Sequence, residues 1–117
     1  MGILMKKNNL PESSLTVISQ KTKIVGTLEV QDEVHFFGYV MGEIKGASGS
    51  EIHLKEDSLV EGKVLGDTII IEGFVKGEVI ADHKIWITAL GKVFGTVKAP
   101  QIKIDPGAHF EAKGVTA

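Results

Sequence analysis

Aliphatic and polar residues alternate along this chain in short phrases, and the phrases repeat. One has the form aliphatic-x-Gly-x-aliphatic and occurs at Ile24–Leu28, Val40–Ile44, Val60–Val64, Val75–Val79 and Val93–Val97. Between its copies lies a second phrase, two apolar residues flanking one other: Val34-His35-Phe36, Ile52-His53-Leu54, Ile69-Ile70-Ile71, Ile85-Trp86-Ile87 and Ile102-Lys103-Ile104, with a weaker first copy at Thr16-Val17-Ile18. The last members of the second phrase stand at 18, 36, 54, 71, 87 and 104, so the steps are 18, 18, 17, 16 and 17. An internal period of this kind decides the architecture before any local assignment.

Both phrases place apolar side chains at every second residue, which is strand periodicity. Glycine and β-branched residues fill them, and helix propensity there is poor. Asn-Gly or Asp-Gly pairs, the usual mark of tight hairpins, do not recur between the phrases. A step of about 17 residues is too short for a strand-helix crossover unit. It suits one turn of a coil built from three strands of roughly 5 to 6 residues, with successive turns stacked in parallel about 4.8 Å apart. Six turns predict a rod of about 29 Å. The fold expected is all-β: one parallel β-helix, a triangular solenoid of about six turns over residues 15–114, between a flexible N-terminal tail at 1–14 and a C-terminal tail at 115–117. The right-handed form is favoured, because stepping by six from Ile24, as a left-handed hexapeptide coil requires, runs into Gly66, Glu72 and Glu78.

The register predicts which residues face in. Positions two before and two after each glycine point inward, and the last column reads Leu28, Ile44, Val64, Val79, Val97. The residue after each glycine points out: Thr27, Glu43, Lys63, Glu78, Thr96, Lys113. Glu43, Lys63 and Glu78 alternate in sign, so vertical neighbours attract. The glycine itself is expected to leave room inside the coil for a large residue of another face, such as Phe36 or Leu54.

Composition narrows the function. The 43% hydrophobic and 24% charged content is globular, and 14 glycines in 117 residues exceed the usual share of about 7%. Net charge is −2 with both signs interspersed, which disfavours nucleic acid as a partner. Without cysteine there is neither a disulfide framework nor a thiolate metal site. No apolar run reaches the ~20 residues of a spanning helix, and Met1–Lys7 lacks the order of a secretory signal, so a cytoplasmic protein is expected.

Several residues invite a chemical reading. His35 and His53 fall in one outward column a turn apart, but that column continues Ile70, Trp86, Lys103 rather than with a third histidine, and His83 and His109 lie in other registers. A plain exposed ladder is expected there, with no metal and no cofactor. Gly62-Lys63 and Gly91-Lys92 are followed by valine and lack the upstream glycine of a phosphate loop, so no nucleotide is expected. "GASGS" at 46–50 lacks the nucleophile-elbow spacing and reads as a corner loop. Ile70 and Trp86 form a small outward apolar patch suited to a lateral or partner contact. Met1, Ile3, Leu4 and Met5, followed by Lys6 and Lys7, form an apolar tip with cations suited to an anionic membrane surface.

The opening "TVISQKTKIVGTLEV", the repeated glycine phrase and the closing "IDPGAHFEAKG" resemble the bactofilins, over about residues 15 to 114. The resemblance implies a non-enzymatic bacterial cytoskeletal protein that polymerises end to end with itself, without nucleotide. It implies filaments on the inner face of the cell membrane, in contact with its lipids, which support cell shape or position peptidoglycan-modifying enzymes and other envelope proteins. The last turn departs from its repeat: Phe110 ends the column Ile24, Val40, Val60, Val75, Val93, and Ala112 stands where glycine is due. In bactofilins a phenylalanine of the terminal rung is associated with assembly, and Phe110 matches it. Phe110, Ala112 and Ile104 are therefore the expected polymerisation interface. The competing reading is a β-helix enzyme of the acyltransferase or γ-carbonic anhydrase type, against which the broken hexad and the missing third histidine count.

Overall fold

In the computed structural model, which describes residues 2–5 and 15–116, every strand pair is parallel and no helix is present among the described residues. The strands are β1 (Gly2–Met5), β2 (Leu15–Ile18), β3 (Lys23–Val30), β4 (Glu33–Phe36), β5 (Tyr39–Gly46), β6 (Glu51–Leu54), β7 (Leu59–Ile71), β8 (Phe74–Ile87), β9 (Lys92–Ala99), β10 (Gln101–Ile104) and β11 (His109–Thr116). They stack in two ladders. One runs through β1, β3, β5, the first half of β7, the first half of β8, β9 and β11. The other runs through β2, β4, β6, the second halves of β7 and β8, and β10. The chain is an all-β parallel solenoid of about six turns.

The register is the one the period predicts. Ile18, Phe36, Leu54, Ile71, Ile87 and Ile104 are successive partners in one ladder. Gly26, Gly42, Gly62, Gly77, Gly95 and Ala112 are successive partners in the other. Backbone hydrogen bonds carry the ladder round one corner as well, from Phe37 N to Ile18 O, Lys55 N to Phe36 O, Glu72 N to Leu54 O, Thr88 N to Ile71 O and Asp105 N to Ile87 O. Inside lies a core made almost wholly of Ile, Val and Leu with Phe36, and from Val34 to Val97 its inward positions are fully buried. Each such side chain contributes roughly 1.5–3 kcal/mol by leaving water.

Two expectations need correction. The turn is not three strands of 5 to 6 residues. It is an eight-residue strand bent at its glycine, giving two four-residue sides, followed by a four-residue strand as the third side. The glycines, in turn, do not make room for Phe36 or Leu54. They form the bend. Gly77 has φ of +138°, a conformation that side-chain-bearing residues rarely adopt, and a Cβ there would land on the carbonyl oxygen of Gly62 in the rung before. The column needs glycine for its backbone and for the close approach of the neighbouring rung.

Outward positions behave as read. Lys63 and Glu78 are partners in adjacent rungs and their charged groups lie 3.4 Å apart. The segment 47–50 is a corner loop, closed by Ser50 N donating to Ala47 O, with Gly49 N donating to Asp67 Oδ2 at 2.8 Å.

Gly49 also has positive φ, +82°, but a Cβ there would meet nothing. Gly49→Ala is thus expected to cost only the left-handed backbone strain, about 1–2 kcal/mol. Gly77→Ala adds the collision with the preceding rung and should lower the melting temperature clearly further. Thermal unfolding followed by circular dichroism checks this, and equal losses would disprove the glycine-bend account.

Candidate functional site

The C-terminal end of the coil is where the inward columns run out. Phe36, Leu54, Ile71 and Ile87 are fully buried, whereas Ile104, next in the same column, is 43% exposed. Phe110 follows Val93 in the other ladder and is half-buried, packed on the core together with Ile102 and Ala108. Ala112 continues the glycine column as the partner of Gly95. Charged and polar side chains flank this apolar end: Lys103 lies 4.0 Å from Asp105, and His109 lies 3.2 Å from Glu111. Among the described residues β10 and β11 each have a neighbour on one side only. Their free edges offer unpaired backbone donors and acceptors to any further strand. The three expected interface residues Ile104, Phe110 and Ala112 therefore share the last turn.

At the opposite end β1 and β2 likewise each have a neighbour on one side only among the described residues. β1 pairs in parallel with β3, Gly2 with Thr27 through Met5 with Val30, and so adds a seventh rung to the glycine ladder. Ile3, Leu4 and Met5 of the expected membrane tip belong to this strand. Met1, Lys6 and Lys7 lie outside the described residues.

On the side of the coil, the column Val17, His35, His53, Ile70, Trp86, Lys103 forms as expected. Ile70 and Trp86 are half-buried neighbours. The indole is held in place: Trp86 Nε1 donates to Asp105 Oδ2 at 3.0 Å, and the ammonium groups of Lys103 and Lys84 lie 4.6 and 5.5 Å from its ring. The patch is thus narrower than its sequence suggests, because lysines lie over the ring.

The histidine pair is more than a bare ladder. The rings of His35 and His53 are 4.4 Å apart, tilted by 52°. Glu33 Oε2 accepts from His35 Nε2 at 2.8 Å and lies 3.6 Å from His53 Nε2, while Glu51 Oε1 accepts from His53 Nε2 at 2.6 Å. Searching for a third histidine in the column missed these carboxylates. The signal that would have found them is a repeated Glu-x-His, Glu33-Val34-His35 and Glu51-Ile52-His53, which puts acid and imidazole on one face of each strand.

The family model described as "Bactofilin: Polymer-forming cytoskeletal" matches residues 16–114. The chain belongs to the bactofilin family. Among curated proteins, it is similar to Bactofilin BacO of Myxococcus xanthus (strain DK1622), 28% identical over 96 residues that cover 82% of this chain and 75% of that protein. It is also similar to Bactofilin BacP of the same organism, 26% identical over 98 residues, covering 84% of this chain and 40% of that protein. No solved structure matches the chain. As a bactofilin it is a polymer-forming cytoskeletal protein, and among the described residues there is no helix long and apolar enough to cross a membrane.

This bactofilin has one tyrosine, which reports on the side of the coil. The Tyr39 phenol is raised above its usual value of 10.0, first by burial and then by the Glu61 carboxylate beside it, both of which disfavour the phenolate. The fold therefore loses this contribution as pH rises above about 10 and through the raised value, because the unfolded chain ionises first. Phenolate absorbance should show a late titration in the parent, moved down in Glu61→Gln. An unchanged midpoint would remove Glu61 as a cause.

Proposed function

We propose that this bactofilin polymerises end to end through its last rung, without nucleotide, into filaments that lie on the inner face of the cell membrane. There they act as a scaffold, without catalytic activity of their own, supporting cell shape or positioning peptidoglycan-modifying and other envelope proteins. The observation that carries the reading is the sharp loss of burial at the C-terminal end, where Ile104 is exposed and every interior member of its column from Phe36 to Ile87 is sealed. An apolar centre flanked by charged and polar side chains and by free strand edges is the anatomy of a contact surface. A second copy presenting the same face about a two-fold axis would cover Ile104 and Phe110 and continue the core across the junction.

The membrane part of the proposal rests on Met1, Ile3, Leu4, Met5, Lys6 and Lys7. Inserting this tip into headgroups means giving up the pairing of β1 with β3. Lipid binding and closure of the N-terminal edge are then alternatives for one segment. The Ile70 and Trp86 patch is the site proposed for a lateral or partner contact.

Electron microscopy of the purified protein without nucleotide should show filaments. Phe110→Arg should keep the β-rich circular dichroism of the parent yet leave small soluble species, because docking would bury an unpaired guanidinium. Normal filaments from folded Phe110→Arg protein would overturn the interface.

A separate measurement addresses the membrane. Removing residues 1–7 should abolish co-sedimentation with anionic liposomes and leave filaments in solution. Undiminished pelleting would refute the membrane role of this segment without touching the polymerisation reading.

A further inference from the structure

We infer that Glu33, His35 and His53 form a binding site for a divalent transition-metal ion of the zinc class, clamping the second turn of the coil to the third. Each residue offers one ligand atom, and the three atoms lie within 4.8 Å of one another. Zn–N bonds of about 2.0–2.1 Å at a tetrahedral centre set donor-donor edges of about 3.3 Å. The observed separations from Glu33 Oε2, 2.8 Å to His35 Nε2 and 3.6 Å to His53 Nε2, bracket that value. Shifts of a few tenths of an ångström in Glu33 and the imidazole tips would bring these edges to length.

Three further features suit the ion. Glu33 and His35 sit on β4 and His53 on β6, so neighbouring ladder rungs fix their backbones. The imidazoles are partly buried, with His53 the more enclosed, which lowers the cost of ordering them and leaves the outward side open to a water ligand. Glu51 adds a second carboxylate, its Oε1 at 2.6 Å from His53 Nε2. When the ion takes that nitrogen, the proton leaves and Glu51 remains beside a cation. Two carboxylates and two neutral imidazoles balance a charge of +2. Two imidazoles with a carboxylate favour zinc, cobalt, nickel or copper over magnesium or calcium, which prefer all-oxygen shells.

Isothermal titration of the untagged full chain with zinc chloride should give one site per chain. A Co²⁺ titration should develop the visible absorption of a low-coordinate nitrogen-oxygen site. Glu33→Gln preserves the shape of an outward side chain and should weaken zinc by about 100-fold or more, beyond the 10–100-fold typical of losing only an outer partner. The His35→Ala/His53→Ala double variant should bind no zinc while keeping the parent circular dichroism. His109, which also pairs with a single glutamate, provides the control: His83→Ala/His109→Ala should bind zinc like the parent. Absence of saturable binding in the parent, or undiminished binding in Glu33→Gln or in the folded double variant, would overturn the assignment.

Discussion

Everything else in this molecule depends on the contact between one glycine corner and the next. At each rung from Gly42 to Gly95, the place a Cβ would occupy is taken by the carbonyl of the glycine one turn earlier. That approach is possible only without a side chain, and positive φ at the same residue turns the strand on to its second side. The two demands coincide on a single position in every turn. A slip of one residue would put Thr27, Glu43, Lys63 or Glu78 in the corner and would also turn the inward columns out to solvent. Sterics and burial thus select the same register, and that agreement makes a ladder of weak phrases specific.

Once register is fixed, the sides need no further instruction, but the ends do. A strand inside the stack is satisfied by its neighbours above and below, and a terminal strand is not. Among the described residues both ends keep free strand edges, β1 and β2 at one and β10 and β11 at the other, but their burial differs: Ile18 and Ile24 are buried, whereas Ile104 lies partly in water. Ordinary soluble solenoids cover such an end with a polar cap. Among the described residues the last turn carries a half-buried Phe110 and an exposed Ile104, which is consistent with the polymer-forming nature of the family.

Much of this was readable in the sequence because period and burial are sequence properties. The positions 18, 36, 54, 71, 87 and 104 are ladder partners, and the columns around Leu28 and Val79 are buried as read. The misreadings share a cause. Alternation reports which side of a strand a residue faces, not where the strand bends, so the glycines were given space to vacate when their real task is a corner. The same blindness hid Glu33: its closeness to His53 arises between rungs and across a diagonal, which no single column shows. Trp86 differs: Lys103, its own column partner, and Lys84, two residues earlier on its strand, lie over the ring and narrow a patch that residue type alone made look open.

The uneven repeat lengths complete the physical picture. The glycine column 26, 42, 62, 77, 95, 112 advances by 16, 20, 15, 18 and 17 residues. Each turn spends twelve residues on three four-residue sides, and the remainder is corner. From Gly42 to Gly62 the corners are 47–50 and 55–58, four residues each; from Gly62 to Gly77 they shrink to Asp67 alone and to 72–73. Four-residue corners close on themselves, as when Ser58 N donates to Lys55 O or Gly91 N to Thr88 O, so an insertion there disturbs no rung. Length variation is confined to the surface while the twelve ladder positions stay in step. A scaffold built this way can change what its corners and side columns present, the Glu-x-His pair included, while the axis along which copies would stack stays the same.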